Sequence, residues 1–186
     1  MQLIGAIIDQ GSDEASGAAL DHASDLLDQY LARNLSERYV CRAHYFRANI
    51  WNAKRYASPD WQSWLWKSEA IDGEILELRR ALAHPGFEEL EPHERAQIYT
   101  NLGNTLNHIG RFIEAIEYWD RALIEVPKFA MASGNRGIGL GDYAHALYDS
   151  GHHRVLMFFA AKSLAQACAD DAVIESYGYV SYSPIL

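Results

Sequence analysis

The feature that most limits how this chain can fold is the stretch from Pro92 to Pro127. Pro92 and Glu94 suit a first helical turn, where proline gives up no hydrogen bond and a carboxylate meets the positive end of the helix dipole. Beyond them Ile98, Leu102, Leu106 and Ile109 recur at the spacing of one helix face. Gly110 then interrupts the run, as a residue just past a helix end often does. A second run begins near Phe112 and sets Ala115, Ile116, Trp119, Ala122 and Leu123 on one side. It stops before Pro127, which has no N–H for the helical ladder. Two helices joined by so short a turn are antiparallel neighbours. Gly103, Ala115 and Ala122 fall where such helices approach most closely, and Tyr99, Leu102, Leu106, Phe112 and Trp119 fill the spaces between.

The segment from Ala96 to Pro127 resembles a tetratricopeptide repeat, a helix-pair unit of about 34 residues. With Ala96 as the first position, Tyr99, Leu102-Gly103, Leu106, Ala115, Trp119, Ala122 and Pro127 stand at the repeat's marked offsets; Leu106 replaces the usual tyrosine. The resemblance implies an all-α fold of antiparallel helix pairs stacked as a short α-solenoid of about seven helices. Distorted copies flank the central unit. Downstream, Ser133 through Leu140 echo it through Asn135 and Gly137, and Leu147 to Gly151 repeat the pattern of Leu106 to Gly110. Gly151 comes 41 residues after Gly110, seven more than one repeat. Seven residues are close to two turns, so a longer first helix is expected, followed by a partner from His153 to about Ala169. Upstream, Tyr45 to Asn52 aligns with Thr100 to Asn107 and puts Ala48 where Gly103 stands. Its partner would run from about Trp61 to Ala83 after a turn at Ser58-Pro59-Asp60, with Ile71, Ile75, Leu78 and Leu82 on the apolar face. One helix from about Glu14 to Arg33, carrying Leu20, Ala23, Leu26, Leu27 and Tyr30, reads as a capping element. The organisation expected is a packing or capping helix in 1–36 and a repeat domain in 37–186, with approximate repeats 37–91, 92–127 and 128–170 and a short tail.

The strings WDRAL (Trp119–Leu123), GNRG (Gly134–Gly137) and ALYDSGH (Ala146–His152) are similar to those of bacterial proteins that join an N-terminal repeat region to a C-terminal HEPN domain. Many HEPN domains are RNases of toxin or defence systems, but the part of the family that carries that chemistry has no counterpart in this sequence. The resemblance therefore implies a protein–protein interaction module rather than an enzyme. Such a module would bind a peptide, a helix or a partner domain, a HEPN domain among them. The alternative is a fragment of a HEPN-type RNase that keeps some RNA contact.

In stacked helix pairs the first helices line a concave groove where partners sit. Carried over position by position, the resemblance places Gln97, Thr100, Asn101, Asn104, Asn107 and His108 of the central unit on it. The upstream unit adds Arg42, Tyr45, Phe46, Asn49 and Asn52, and the downstream unit adds Asn135 with Arg136 beside it. Amides both donate and accept hydrogen bonds and suit an extended peptide backbone; Arg42 or Arg136 would grip a carboxylate. The candidate partner site is thus Arg42, Tyr45, Asn49, Asn52, Gln97, Asn101, Asn104, His108 and Asn135. Against this stands the plain reading that solvent-facing helix positions are simply polar.

A formal charge of −9 disfavours a phosphate-binding or membrane-binding face. No stretch reaches the roughly 18 apolar residues of a membrane span, and the N-terminus lacks a basic signal region, so a cytoplasmic setting is expected. Cys41 and Cys168 lie far apart in apolar contexts and read as buried small hydrophobes. The run Gly137-Ile138-Gly139-Leu140-Gly141 lacks the preceding strand of a nucleotide-binding fingerprint and reads as close helix packing. His152 and His153 are adjacent and diverge on a helix, so neither metal nor cofactor is expected. Arg38–His44 and Arg79–His84 match the loose Arg-x(4–6)-His spacing of HEPN nucleases, a match that chance readily supplies. Trp51, Tyr56, Trp61, Trp64 and Trp66 read as core rather than as a base-stacking platform, since only Lys54, Arg55 and Lys67 are interleaved.

Overall fold

The computed structural model describes residues 2–33, 35–58, 68–147 and 151–176, and among them are eight α-helices and no strand. The fold is all-α, and its helices pack in neighbouring pairs. Residues 59–67, which include the start of the helix expected from Trp61, and residues 148–150 and 177–186 lie outside the described residues. The chain forms two compact units, Met1–Leu90 and Glu91–Leu186.

In the first unit α1 spans Gln2–Asp13, α2 Gly17–Leu31, α3 Glu37–Ala57 and α4 Glu69–Ala83. The capping helix expected from about Glu14 to Arg33 corresponds to α2, and α1 precedes it where no helix was expected. Ile4 and Ile8, one turn apart on α1, are buried with Leu20, Ala23 and Leu27 of α2 and with Ala43, Ile50 and Ala53 of α3. Ala15 at a φ of 48° makes the turn between α1 and α2. The Ser16 hydroxyl accepts the Ala19 N–H at the start of α2, and the Ser68 hydroxyl accepts that of Ile71 on α4. Between α3 and α4 the large and small partners are Trp51 and Gly73: a Cβ on Gly73 would stand 2.6 Å from the indole.

In the second unit α5 spans Pro92–His108, α6 Phe112–Glu125, α7 Ala130–Ala146 and α8 His152–Ser176. Pro92 opens α5, and the Glu94 carboxylate accepts the Glu91 N–H at 3.1 Å. Gly110, at φ +80°, ends it in the conformation that favours glycine. The interior expected from spacing is present: Leu102, Leu106, Ala115, Trp119 and Ala122 are buried, while Tyr99 and Phe112 are half-buried. The glycine run lies inside α7. Gly137 packs on Leu164 of α8 and Gly139 on Trp119 of α6, which is close helix packing and not a strand-to-helix turn.

α7 takes up part of the seven residues by which Gly151 exceeds the expected repeat length. Measured from Ala130, α7 ends after sixteen residues, whereas α5 ends twelve after Ala96. Four of the seven extra positions therefore lengthen the first helix, and the rest precede Gly151. Each unit follows one contact order: its first helix packs on the second, the second on the third, the third on the fourth, and the first also touches the third. Among the described residues no helix is long and apolar enough to cross a membrane.

Candidate binding cleft

The contact of first and third helices in unit Met1–Leu90 leaves a cleft of about 180 Å³. One wall is the α1 stripe Gly5, Ile8, Asp9 and Ser12; the other is Phe46, Asn49, Asn52 and Ala53 of α3. Gly5 is what lets the Phe46 ring close the floor, since a Cβ there would lie 3.2 Å from the ring edge. Ile8 and Ala53 are buried, whereas Asp9 and Ser12 are exposed and both asparagines are half-buried. The cleft is apolar at its base and oxygen-rich at its mouth. A carboxylate, a hydroxyl and two amides together favour a group that donates hydrogen bonds, such as an ammonium, a guanidinium or a peptide N–H.

α4 contributes two buried carboxylates, one of which reaches a cleft residue. Glu74 accepts the Asn52 amide at 2.9 Å and is paired with Arg55 at 3.3 Å, so the cleft asparagine is oriented from behind. Glu77 lies 2.7 Å from His44 and 2.6 Å from Arg80. Burial pushes the Glu77 carboxyl up, but the hydrogen bonds and charges of His44 and Arg80 together outweigh it and hold it below the ordinary value of 4.5. The α4 face thus differs from the expected one. Ile71 and Leu78 are buried as expected, but Ile75 and Leu82 are only half-buried, and Glu74 and Glu77 take core positions because α3 supplies their partners.

In unit Glu91–Leu186 the amides of the first and third helices meet each other. The Asn104 carbonyl accepts the Trp119 indole N–H at 3.0 Å and the Asn135 amide at 2.8 Å. Asn107 donates to Asp142 at 2.8 Å. Arg136 pairs with Asp120 of α6 at 2.6 Å, which leaves a structural use for a side chain expected to grip a ligand. Gln97, Asn101 and His108 lie half-buried at helical intervals on the stripe of Asn104. The structure so brings Asn49 and Asn52 to one cleft and joins Asn104 to Asn135. Arg42 stacks on Tyr39 with its guanidinium 5.8 Å from the ring centroid, and Tyr45 meets the cleft residue Phe46 edge to face; Arg42 and Tyr45 are not themselves in the cleft wall.

Sequence reasoning missed the α1 wall altogether; the signal was there in Ile4 and Ile8, spaced as one helix face. It also misplaced Cys168, which is exposed, while Cys41 is buried and bonded to the Ala81 carbonyl. The histidines of the two Arg-x(4–6)-His matches do come together, with ring centroids 5.9 Å apart. Among the described residues no three His, Cys, Asp or Glu side chains converge as a metal site. Trp51 packs over Gly73 and Tyr56 is exposed beside Arg55; Trp61, Trp64, Trp66 and Lys67 lie outside the described residues. No protein-family model matches the chain, and no curated protein matches it.

Proposed function

We propose that this chain is a protein–protein interaction module of tetratricopeptide type, acting in the cytoplasm, which receives a peptide or helix from a partner along its first-of-pair helices. The observation that carries the reading is the α1–α3 cleft, where Asn49 and Asn52 stand opposite Asp9 and Ser12. The cleft holds a single side chain rather than a metabolite, and small-molecule sites are commonly larger, about 300–1,000 Å³. A basic side chain of the partner fits it best: its stem lies on Ile8 and Phe46, and its head meets Asp9. Peptides selected on the protein from a random library should be enriched in lysine or arginine. Ser12→Trp, a change at an exposed position that fills the cleft, should abolish their binding while leaving the helical spectrum intact. Equal binding by Ser12→Trp would refute the assignment.

A second reading, a fragment of an RNA-cleaving HEPN-type protein, is favoured by the approach of His44 and His84. The partners of these rings weigh against it. His84 accepts the Gly86 N–H through Nδ1 at 3.1 Å and lies 3.5 Å from Glu37 through Nε2, and His44 is held by Glu77. Cleavage of single-stranded RNA that disappears in His44→Ala would reverse this preference.

A further inference from the structure

Apart from Leu164, which packs on Gly137, the residues α8 turns toward α7 are small. Ala160, Ser163 and Ala167 are buried, the Ser163 hydroxyl donates to the Ser133 carbonyl at 2.9 Å, and Gly137 abuts the Ala160 backbone. Three other large ones point elsewhere: Val155, Phe158 and Phe159 are 53, 65 and 45% exposed, with the two rings edge to face. Contiguous exposed apolar side chains of this size mark a contact surface. The helices α2 and α6 hold corresponding second places in their pairs, and each also carries the helix that follows, α3 or α7. A helix is therefore the shape that such a face receives in this fold.

Charge selects which helix. From His152 to Ala169, around the exposed apolar residues, α8 carries Arg154 and Lys162; its carboxylates, Asp170, Asp171 and Glu175, come only in its last two turns. Residues 1–32 carry Asp9, Asp13, Glu14, Asp21, Asp25 and Asp28 and no lysine or arginine. On α1 the stripe Leu3, Ala6, Gln10 and Asp13 is exposed along its length, with Leu3 at 67%. It lies apart from the stripe that lines the cleft.

We propose that the occupant of the α8 face is a second copy of this chain, joined head to tail. Leu3 and Ala6 of α1 lie on Val155, Phe158 and Phe159 of the neighbouring copy, and Asp13 is drawn to its Arg154 or Lys162. A symmetric α8–α8 contact would instead bring the arginines and lysines of both copies together, which like-charge repulsion opposes. A head-to-tail contact uses a different patch on each side, so every copy keeps one of each and association continues with concentration.

Sedimentation velocity of the 186-residue chain should show mass rising with concentration, and less so at high salt, where the Debye length falls to about 3 Å at 1 M. Leu3→Asp and Phe158→Asp, both at exposed positions, should each be monomeric alone. Mixed in equal amounts they should form a one-to-one complex and nothing larger, because one intact α1 and one intact α8 remain. Three results would overturn the proposal: a wild-type chain that stays monomeric, a Leu3→Asp chain that still self-associates, or a mixture that does not combine. The first would point to another occupant of the face, the second to a symmetric α8 contact.

Discussion

Gly139 and Gly141 lie two residues apart on α7, yet alanine should act in opposite directions at the two. A Cβ on Gly139 would stand 2.6 Å from Cη2 of Trp119 and 3.0 Å from the Asn107 side-chain oxygen. Carbon atoms pack best at about 3.5–4.0 Å, so the indole would have to retreat by roughly an ångström. Trp119 is 1% exposed and is pressed from its other side by Gly103; there is no space to retreat into. Overpacking of this kind costs about 1–3 kcal/mol, against a helix-propensity gain of about 1 kcal/mol for replacing an interior glycine. A Cβ on Gly141 meets nothing within 4 Å, so there the gain stands alone. Gly141→Ala should raise the stability of the second unit by about 0.5–1 kcal/mol. Gly139→Ala should lower it by up to about 2 kcal/mol. For a unit of this size each kcal/mol moves the melting temperature by about 4–8 °C. Thermal and urea unfolding followed by far-UV circular dichroism would measure both, with hydrogen exchange on α5–α7 assigning the change to this unit. In a Trp119→Leu background the Gly139→Ala penalty should vanish, since the two sites are in contact and couple. Equal shifts for the two glycines, or a penalty that survives Trp119→Leu, would refute the packing argument.

Two further outcomes follow from the polar contacts. Asn104→Ala removes the acceptor shared by Trp119 and Asn135 and should cost about 1–3 kcal/mol in urea unfolding, because the indole N–H is left without it in a packed site. The folded pKa of Glu77 lies below its unfolded value of 4.5, so the stability it adds is complete above that pH and is lost as the pH falls through the folded pKa. Glu77→Gln should accordingly destabilise the first unit above pH 4.5 and leave a shallower acid-unfolding limb below it. A variant limb that parallels the wild type would show that the carboxylate contributes nothing through its charge.

What could be read from the sequence follows from how side-chain size and spacing encode packing. Gly103 and Trp119 sit sixteen residues apart, a distance that a short turn folds into contact, and they meet as expected. Gly137 likewise announced a close approach, and Leu164 fills it. α1 was harder to see: it has no acidic residue in its first turn and no basic one in its last, and its burial depends on two isoleucines meeting α2 and α3. Glu74 and Glu77 were invisible to any periodicity, since a carboxylate counts as surface until Asn52, Arg55 and His44 arrive from another helix. The candidate amides fall on α3, α5 and α7, but spacing along one helix does not reveal that the Asn104 carbonyl would be taken up by Asn135 and Trp119. Nor does it reveal that Asn49 and Asn52 would face α1.

The short 3₁₀ turn Pro85–Phe87 that follows α4 has a further consequence. Gly86 presses its backbone on the first residue of α3, so that a Cβ would overlap the Glu37 carbonyl and lie 2.6 Å from the Arg38 nitrogen. Main chain cannot swing aside as a side-chain tip does, so drift elsewhere in the protein offers no compensating change. Position 86 therefore works as a fingerprint: descendants that keep this pinch must keep glycine there even after their apolar patterns have diverged past recognition.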